Sequence, residues 1–504
     1  MGGDRRDVVV IGSGIGGGAS AALLAKAGLH TLLVEKNPRV GGSCSWYDKR
    51  GFRVDYGTHM FTRGDRGPLG VALRKLGVQD QVTFVRTDDL AEVRGPGLRL
   101  ILPAQAWRLP QFCVEAVRQL KIPARELPRV TRLFYDLVTM SRADAERWDE
   151  QTIEAFILRY TEHPRLFGLL GFLLGLYFIL PPWEVSAGEA ILCFQAMVRD
   201  NRLSYPLGGS GAIPRAFVRA LERYGGQVRT RAGCVSLEPR EGGRWRVTLS
   251  DGAIVDARCV VSTTTLPDLV ERLVGRARFP SEYATRAGAI RKSYVAVQAK
   301  VALPKKRERS GCIVGGWARE PGFDPMHVTQ EDYRAQFAAL DRGLVPSVVP
   351  VYCPIPTNFD PSLAPGGGQL LTACAVAPCT DVPRPEDTRP HARNDRAFID
   401  GLLKAMDALM PGVLDDALFV DTMGTEALAS WIGKAGGPAV STGQTPSQSG
   451  RRRPKVRTPL PGLYVCGDAA GGRGIGTELA CDSAMECVTA ILRDRLDGWQ
   501  PARW

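Results

Sequence analysis

The sequence predicts an α/β fold in which a parallel-sheet domain is assembled from three separated stretches and an α+β domain is inserted between them. Three observations lead to this expectation. An apolar strand, a glycine-rich turn and an alanine-rich helix open the chain; a helix followed by strands begins near residue 205; a strand, a glycine-rich loop and a helix close it. The intervening blocks are richer in proline, aromatic residues and long helical patterns. The expected boundaries are 1–69, 205–269 and 451–504 for the first domain, and 70–204 and 270–450 for the inserted one.

The opening stretch, "VVVIGSGIGGGASAALLAKAGLHTLLVEKN", has the pattern of a dinucleotide-binding βαβ unit. Gly12 allows a tight turn, Gly14 lets backbone N–H groups approach a pyrophosphate, and Gly17 lets the helix pack close to the strand. Glu35 follows the second strand, where its carboxylate can accept hydrogen bonds from an adenosine ribose and would repel a 2'-phosphate. The unit predicts a Rossmann-like site for FAD or NAD and disfavours NADP.

Secondary structure is predicted most sharply in the three stretches of the first domain. Strands are expected over Asp7–Ile11 and Thr31–Val34, a helix around 213–221, a hairpin at Asp251-Gly252 with its second strand ending near Ser262, and a final helix opening at 474–476.

Two further features favour a flavin over a nicotinamide. Gly41 and Gly42 form a second glycine pair, which a longer dinucleotide needs where its body continues past the pyrophosphate. Near the other end, "GLYVCGD" places Asp468 after an apolar strand, where its carboxylate can accept hydrogen bonds from a ribityl hydroxyl. The helix that follows would direct its N-terminal N–H groups at the flavin edge and stabilise negative charge on the reduced ring. We therefore predict FAD.

These segments resemble the FAD-dependent amine oxidase superfamily, and within it the branch of phytoene desaturases, carotenoid isomerases and retinol saturases. The resemblance is carried by GSGIGG, RVGG, FRVDYGTH, YPLGGSGAIPRAF and GLYVCGDAAGGRGIG. It implies a discontinuous FAD-binding domain and a mixed-sheet substrate domain, with Val235 at the adenine and 57–60 near the isoalloxazine. Motif and resemblance together give these cofactor-binding candidates: Gly12, Ser13, Gly14, Ile15, Gly16, Gly17, Glu35, Lys36, Arg39, Gly41, Gly42, Ser43, Gly57, Thr58, His59, Met60, Val235, Gly467, Asp468, Ile475, Gly476 and Thr477.

The resemblance implies an FAD-dependent desaturase, saturase or cis-trans isomerase acting on a long apolar isoprenoid or carotenoid-like lipid. An FAD-dependent amine oxidase is the alternative, and a flavoprotein-like binding module without chemistry is a third hypothesis. Covalent amine oxidases carry a cysteine in the stretch corresponding to Gly433–Gly443, which has none here, so we expect non-covalent FAD. The loop "GDAAGGRGIGTELA" also differs from the proline-containing loop common in carotenoid desaturases. Three reactions therefore stay open.

Two residues are candidates for catalysis. His59 follows the "DYGT" segment and is either a proton donor or a hydrogen-bonded neighbour of the flavin. Glu478 lies in the first turn of the final helix, where a carboxylate is favoured by the helix dipole, so it is either a helix-stabilising residue or a base near the flavin. "GGSGAI", Gly208–Ile213, does not follow an apolar strand, so no second dinucleotide site is expected. The predicted electron acceptor is oxygen or a quinone.

Charge and hydropathy suggest where the protein works. The net charge is +12 without a nucleic-acid motif, which favours an anionic membrane surface over DNA or RNA. The segment Leu166–Leu180 is apolar but too short to span a bilayer. It is a buried core helix, the wall of a lipid tunnel or a helix that dips into one leaflet. Basic residues at 451–457 indicate a solvated loop, a cap over the cofactor or a membrane-facing patch. We expect a cytoplasmic, peripherally membrane-associated protein without a metal site, because the five histidines lack ligand spacing.

Overall fold

The computed structural model describes residues 4–57, 60–200, 203–320, 329–383 and 395–494. The strands are β1 (Asp4–Ile11), β2 (Thr31–Val34), β3 (Trp46–Lys49), β4 (Phe52–Asp55), β5 (Phe84–Arg86), β6 (Asp89–Gly95), β7 (Leu98–Pro103), β8 (Ser204–Pro206), β9 (Gln227–Arg229), β10 (Cys234–Arg240), β11 (Arg244–Leu249), β12 (Ile254–Ser262), β13 (Val295–Leu303), β14 (Cys312–Ala318), β15 (Val348–Pro354), β16 (Gln369–Ala377), β17 (Phe419–Met423) and β18 (Leu463–Val465). The α-helices are α1 (Ile15–Lys26), α2 (Pro68–Leu76), α3 (Leu109–Gln119), α4 (Leu127–Thr139), α5 (Arg142–Arg147), α6 (Ile153–Leu158), α7 (Pro164–Phe178), α8 (Ala187–Asp200), α9 (Ala212–Arg223), α10 (Ser281–Gly288), α11 (Gln330–Asp341), α12 (Arg396–Leu409), α13 (Thr425–Ile432) and α14 (Gly476–Arg493).

The first sheet gathers strands from all three stretches predicted to form one domain. Its order is β10-β11-β12-β1-β2-β9, and β18 pairs with β12. The pairs β12–β1, β1–β2, β2–β9 and β12–β18 are parallel, whereas β10, β11 and β12 form an antiparallel meander. The predicted strands, the hairpin at Asp251-Gly252 and the final helix are confirmed, although β1 begins three residues earlier than expected, at Asp4. The α/β fold class is confirmed.

Helices α1, α9 and α14 cover one face of this sheet, and α1 packs closely against the other two. A Cβ atom on Gly16 of α1 would lie 2.8 Å from Cα of Gly467, just after β18, and one on Gly18 would lie 3.3 Å from Cβ of Phe217 in α9. These glycines let α1 approach α9 and the turn before α14, because any side chain there would collide with its neighbours. The close packing brings the N-termini of α1 and α14 to the same edge of the sheet.

The second sheet is mixed and has the order β17-β13-β16-β15-β14-β6-β7. Its strands β6 and β7 come from the first predicted inserted block and the other five from the second, so both blocks meet in one sheet. Helix α12 packs on β13 to β16, α3 packs on β7, and α7 lies against β15 and α11. Their apolar side chains form one continuous core, which we call the second-sheet core; it comprises the buried faces of β6, β7, β13 to β16 and of α3, α4, α7, α8 and α12.

Helix α7 holds most of the apolar segment predicted at Leu166–Leu180. Leu166, Phe167, Leu169 and Phe172 are buried, and the hydroxyl of Tyr333 in α11 donates to the Gly168 carbonyl at 3.0 Å. The buried-helix interpretation is confirmed on this face. Over the residues that the structure describes, we find no helix that is long and apolar enough to cross a bilayer.

Several basic side chains at 451–457 form hydrogen bonds or ion pairs with other parts of the protein. Arg453 is buried and donates to the carbonyls of Gly471 and Asp468 at 2.6 and 2.9 Å. Arg452 pairs with Glu150 at 2.9 Å, and Arg457 pairs with Asp494 at 2.7 Å. Much of this positive charge therefore has partners within the protein. The run supports a membrane-facing patch less strongly than its sequence suggests.

Candidate functional site

A cavity of about 490 Å³ opens where β1, β2 and β12 of the first sheet end. The carboxyl edge of a parallel sheet is where nucleotides bind in doubly wound folds, and this volume lies within the usual range for cofactor sites. Of the predicted cofactor contacts, those lining the cavity are Gly12, Ser13, Gly14, Ile15, Gly16, Gly17, Glu35, Lys36, Gly41, Gly42, Ser43, Gly467, Asp468, Gly476 and Thr477. Their role in binding remains a prediction.

The glycines of the first turn each meet a different requirement. Gly12 has a φ of +92°, which favours glycine, and a Cβ on Gly17 would lie only 1.8 Å from the Gly12 carbonyl oxygen. A Cβ on Gly14 would meet no protein atom within 4 Å, since it would point into open space. Helix α1 begins immediately afterwards, so its first-turn N–H groups, which have no intrahelical acceptors, face the cavity. The turn thus offers a cradle for a pyrophosphate.

Glu35 lies at the end of β2 and is 5% exposed. One carboxylate oxygen accepts from the backbone N–H and the hydroxyl of Ser13 at 2.9 and 2.6 Å, and the other accepts from the Asn37 N–H at 2.9 Å. The Gly41 N–H in turn donates to the Ser13 hydroxyl at 3.0 Å. This network fixes the carboxylate at the cavity wall and links the first glycine turn to the second.

The second glycine pair packs directly against the first glycine turn. Gly41 and Gly42 have φ of +120° and +56°, and a Cβ on Gly42 would lie 3.3 Å from Cα of Gly14. Side chains at these positions would be strained and would crowd the cradle. The pair therefore keeps the cavity open beyond the first turn, as the sequence argument for a longer cofactor required.

Asp468 follows β18 and receives three protein donors. The ammonium group of Lys434 donates at 2.6 Å, and the N–H and hydroxyl of Ser441 donate at 2.8 and 2.9 Å. Burial raises the pKa of Asp468, but Lys434 and the Ser441 donors outweigh it, so the pKa lies below its ordinary value. A carboxylate has about four lone-pair positions, so these donors leave room for one more.

One wall of the cavity was not predicted from the sequence. It is formed by the end of α13 and the turn after it, and by residues following β12. These lining residues are Ala429, Ser430, Ile432, Gly433, Lys434, Ala435, Ala439, Thr263, Thr264, Asp268, Arg272 and Leu273. Thr263 and Thr264 had a signal, because they follow a parallel strand of the same sheet. The end of α13 had none, since it comes from the region assigned to the inserted domain. The turn after it belongs to Gly433–Gly443, the stretch that the resemblance relates to the cysteine of covalent amine oxidases.

Several predicted contacts lie outside the cavity lining. Arg39 donates to the Trp46 carbonyl at 2.7 Å, away from the cavity. Val235 is 50% exposed, while its neighbour Cys234 lines the cavity. Met60 and Ile475 are instead partly buried against the second-sheet core. Thr58 and His59 fall outside the described residues.

Gly57 contacts a buried polar cluster formed by side chains of β4, β8 and β13. The Gly57 carbonyl accepts from the ammonium group of Lys300 at 3.4 Å, and the Tyr205 hydroxyl donates to the Asp55 carboxylate. Lys300 is 2% exposed. Burial lowers the pKa of Lys300 to about 8, against the opposing effect of Asp55. The cluster anchors the segment that the resemblance places near the isoalloxazine.

Glu478 lies in the first turn of α14 but does not line the cavity. Its side chain is buried and lies close to the start of α2. A Cβ atom added to Gly67, the residue before α2, would lie 2.4 Å from a Glu478 carboxylate oxygen. Its charge contributes to a raised pKa of Tyr177 on α7, where burial is the largest cause. Glu478 therefore lies on the side of α14 that meets α2 and α7, and whether it acts in catalysis remains open.

The residues present fit FAD. Two consecutive glycine turns, a helix N-terminus aimed into open space and a buried carboxylate at the end of β2 are the groups that an adenosine diphosphate requires. The cavity continues from there past Gly42 to Asp468 and the start of α14, so it is longer than one nucleotide needs. This length fits a flavin dinucleotide.

Comparison with known proteins agrees with this geometry. The chain matches the model of the flavin containing amine oxidoreductase family over residues 15–492. A phytoene desaturase of Fusarium fujikuroi is 23% identical over 395 residues, which cover 72% of this chain and 65% of that protein, slightly less than two thirds of its length. The chloroplastic prolycopene isomerase of Arabidopsis thaliana is 23% identical over 527 residues, covering 97% of this chain and 83% of that protein.

A solved structure gives the same fold. An oxidoreductase from Methanosarcina mazei aligns with a TM-score of 0.69 at 21% identity, covering 95% of this chain and 99% of that one. At this level of identity the likeness establishes the arrangement of strands and helices alone.

Proposed function

The chain belongs to the flavin containing amine oxidoreductase family and its cofactor is FAD; on that basis we propose that it desaturates, saturates or isomerises a long apolar isoprenoid or carotenoid-like lipid. Bound FAD would supply a hydride acceptor or donor, or electron density for isomerisation. The residues of the chain then have three tasks, which are to hold the cofactor, to present an apolar substrate to it and to keep water out.

The position of Met60 and Ile475 carries this proposal. Both belong to segments predicted to touch the flavin, and both pack against the second-sheet core, while Met60 also packs against the apolar core beside the first sheet. Apolar side chains therefore adjoin the segments that are predicted to touch the flavin. An isoprenoid gains roughly 0.8 kcal/mol for each CH₂ group it buries and needs no charged partner, so this boundary suits a lipid better than a small amine.

The polar groups near this boundary are few and buried. Tyr177 of α7 hydrogen-bonds to Thr62, close to Met60, and burial raises its pKa well above the ordinary value. Glu478 lies in the same neighbourhood and stays our candidate for holding or moving a proton, together with His59. The buried position of Glu478 would restrict proton transfer to one end of a long substrate.

We also propose that FAD is held non-covalently, because the stretch Gly433–Gly443 beside Asp468 contains no cysteine. Acid or heat denaturation should release a yellow supernatant whose cofactor runs as FAD. Colour that stays with the precipitated protein would contradict this.

Oxygen or a quinone is the proposed electron acceptor for the desaturation reaction. Gly208 and Gly209 follow β8, which pairs antiparallel with β5 and bridges antiparallel to Phe61. A nicotinamide dinucleotide would need a parallel strand before such glycines, so the geometry at this turn does not support a second dinucleotide site.

Peripheral association with a membrane surface completes the proposal. A long isoprenoid is stored in membranes, and a chain with a net charge of +12 is attracted to anionic lipid. Cytoplasmic membranes are the expected location.

Anaerobic reduction of the bound flavin tests this function. A carotenoid, retinoid or polyprenyl lipid dispersed in detergent should bleach the flavin absorbance if the reaction is desaturation, and should restore the absorbance of flavin reduced beforehand if it is saturation. Small primary and secondary amines should not bleach the flavin. A lipid that changes only its double-bond geometry, and only when the flavin has been reduced beforehand, would select the isomerase among the three reactions. Bleaching by amines but not by lipids would establish the amine oxidase instead.

A further inference from the structure

The most exposed large apolar side chains are concentrated in one segment. Of the twelve such side chains that are exposed among the described residues, six lie between Ile101 and Val138. Trp107 is 77% exposed, Val114 69% and Tyr135 60%, and these are the three highest values of the twelve. Scattered single apolar residues are normal on a protein surface, but such a concentration marks an interaction surface.

Four of the six lie on α3 and α4, whereas Trp107 lies in the turn just before α3 and Ile101 lies on β7. Val114 on α3 lies seven residues after Trp107, with the exposed Pro110 and Gln111 between them, whereas Phe112 and Ala116 are buried against β7. On α4, Leu127, Tyr135 and Val138 are exposed, whereas Val130, Leu133 and Leu137 are buried. Each helix therefore packs one apolar stripe into the second-sheet core and presents further apolar residues to solvent.

Basic residues accompany this apolar surface. Residues 99–142 contain eight basic and three acidic residues, a net charge of +5 out of +12 for the whole chain. Their side chains are open to solvent: Arg118 is 75% exposed, Arg125 84% and Arg129 and Arg132 each 68%. The ion pairs they form with Glu115, Glu126 and Asp136 are solvent-exposed on the arginine side and hold them weakly.

The same segment borders a small apolar cavity of about 20 Å³, enough for one water molecule. Its lining includes Leu102 of β7, Leu109 at the start of α3, and Phe194 and Met197 of α8. Leu109 follows Trp107 by two residues, so the cavity lies at the end of α3 nearest the most exposed tryptophan. Exposed and buried apolar side chains are therefore neighbours at this end of α3.

We propose that residues 99–142, which we call the α3–α4 face, dock on an anionic lipid surface. Exposed Trp, Tyr and aliphatic residues interleaved with arginines are what an interfacial segment needs, because the apolar groups enter the acyl boundary while the arginines pair with phosphate groups. A protein partner would favour a continuous apolar patch with few charges at its centre. The proposal rests on the proposed function for the expected location at a membrane surface, and vesicle binding tests it without any flavin chemistry.

Vesicle binding of the purified holoenzyme tests the proposal. Vesicles of phosphatidylcholine with phosphatidylglycerol should sediment with the wild-type protein, and those of phosphatidylcholine alone should bind it much less. Combining Trp107→Ser, Val114→Ser and Tyr135→Ser should weaken binding by about tenfold or more, since these groups carry the apolar contact. Combining Arg118→Gln, Arg129→Gln and Arg132→Gln should weaken it by a similar factor and reduce its dependence on salt.

Control variants replace exposed residues elsewhere on the surface. Combining Ile254→Ser, Leu344→Ser and Leu418→Ser changes side chains that are 46%, 40% and 44% exposed, and should leave binding unchanged. Combining Arg451→Gln and Arg452→Gln should do the same if the basic run at 451–457 is not the docking surface. Brominated lipids should quench the fluorescence of the wild type, and Trp107→Phe should abolish most of that quenching.

The outcomes separate this proposal from the proposed function. Vesicle binding that the α3–α4 variants lose and the controls keep supports the docking surface, whether or not a detergent-dispersed lipid reduces the flavin. Equal binding by wild type and α3–α4 variants overturns it, even where dispersed lipid does reduce the flavin. A wild-type dimer in light scattering that these variants convert to a monomer, without vesicle binding, would make the face a self-association interface and also overturn it.

Discussion

The cofactor cavity and the second-sheet core come close at Ile475, which packs against the core and precedes the cavity-lining Gly476, yet they present different groups to a ligand. Around Gly12 and Gly42 the cavity offers backbone N–H groups, because the glycines there have no side chain to cover them. The second-sheet core offers aliphatic and aromatic side chains from many elements. A cavity made of backbone tolerates almost no substitution, whereas a core made of side chains can be repacked for another substrate.

Gly17 and Gly14 give the largest expected effects and separate two roles within the cradle. Gly17→Val should abolish flavin binding and lower the thermal stability of the apoprotein, because its Cβ would lie 1.8 Å from the Gly12 carbonyl oxygen. Gly14→Val should abolish flavin binding while leaving apoprotein stability nearly unchanged, because its Cβ meets no protein atom within 4 Å. Flavin absorbance per protein and calorimetry of the apoprotein measure the two effects.

Gly175→Ala in α7 is the control from the apolar side. Its Cβ would lie 3.7 Å from the Leu180 carbonyl oxygen, an ordinary contact, so flavin occupancy should stay at the wild-type level. Normal flavin content in Gly14→Val would show that this position does not face the cofactor.

Lys434→Met should reverse the pH dependence of stability that Asp468 produces. In the wild type, donors that outweigh burial keep the pKa of Asp468 low, so its stabilising effect is present above pH of about 4 and is lost as the pH falls. Without Lys434 the buried carboxylate should have a raised pKa, and stability should instead fall as the pH rises from about 4 towards 7. The loss at neutral pH should be about 3 kcal/mol, as for other broken buried pairs.

Urea unfolding across this pH range measures the effect, and Lys455→Met is the control because Lys455 is exposed. Parallel pH profiles for wild type and Lys434→Met would show that the pair does not control Asp468.

Lys300→Met should remove a rise in stability at alkaline pH. The folded-state pKa of Lys300 is about 8, below its ordinary 10.5, so between these values the unfolded chain holds a proton that the folded chain has lost. Stability therefore rises with pH across this window, by up to about 3 kcal/mol from this group. Tyrosines and cysteines titrate in both proteins, so the difference between the two profiles isolates Lys300. Identical slopes from pH 8 to 10 would disprove the effect.

Glu35→Gln should have the smallest effect of the series. The amide keeps the shape but loses a charge-assisted acceptor, so FAD should bind about tenfold more weakly, as measured by quenching of flavin fluorescence on titrating apoprotein. Arg39→Gln is the matched comparison, because Arg39 points to Trp46 outside the cavity lining and its loss should change affinity less. A larger loss for Arg39→Gln would restore the role that the family resemblance gives it.

The two regions also differed in how far the sequence could predict them. The cradle was predicted because its groups are close in the chain: Gly12 to Gly17 form one turn, and Glu35 ends the next strand. The Lys434 contact to Asp468 and the α13 wall were missed, since they depend on how a distant segment folds back over the sheet. The basic run at 451–457 was overestimated because sequence alone does not show that Arg453 turns inward to backbone carbonyls.

Mass spectrometry of the organic extract of the purified, yellow protein tests the central claim most directly, namely that an FAD cradle adjoins a site for a long apolar lipid. The account predicts an isoprenoid-type lipid close to stoichiometric with FAD, which reduces the flavin or is isomerised when it is added back without oxygen. A protein that releases FAD but carries no such lipid, and whose flavin is bleached by small amines alone, would contradict it.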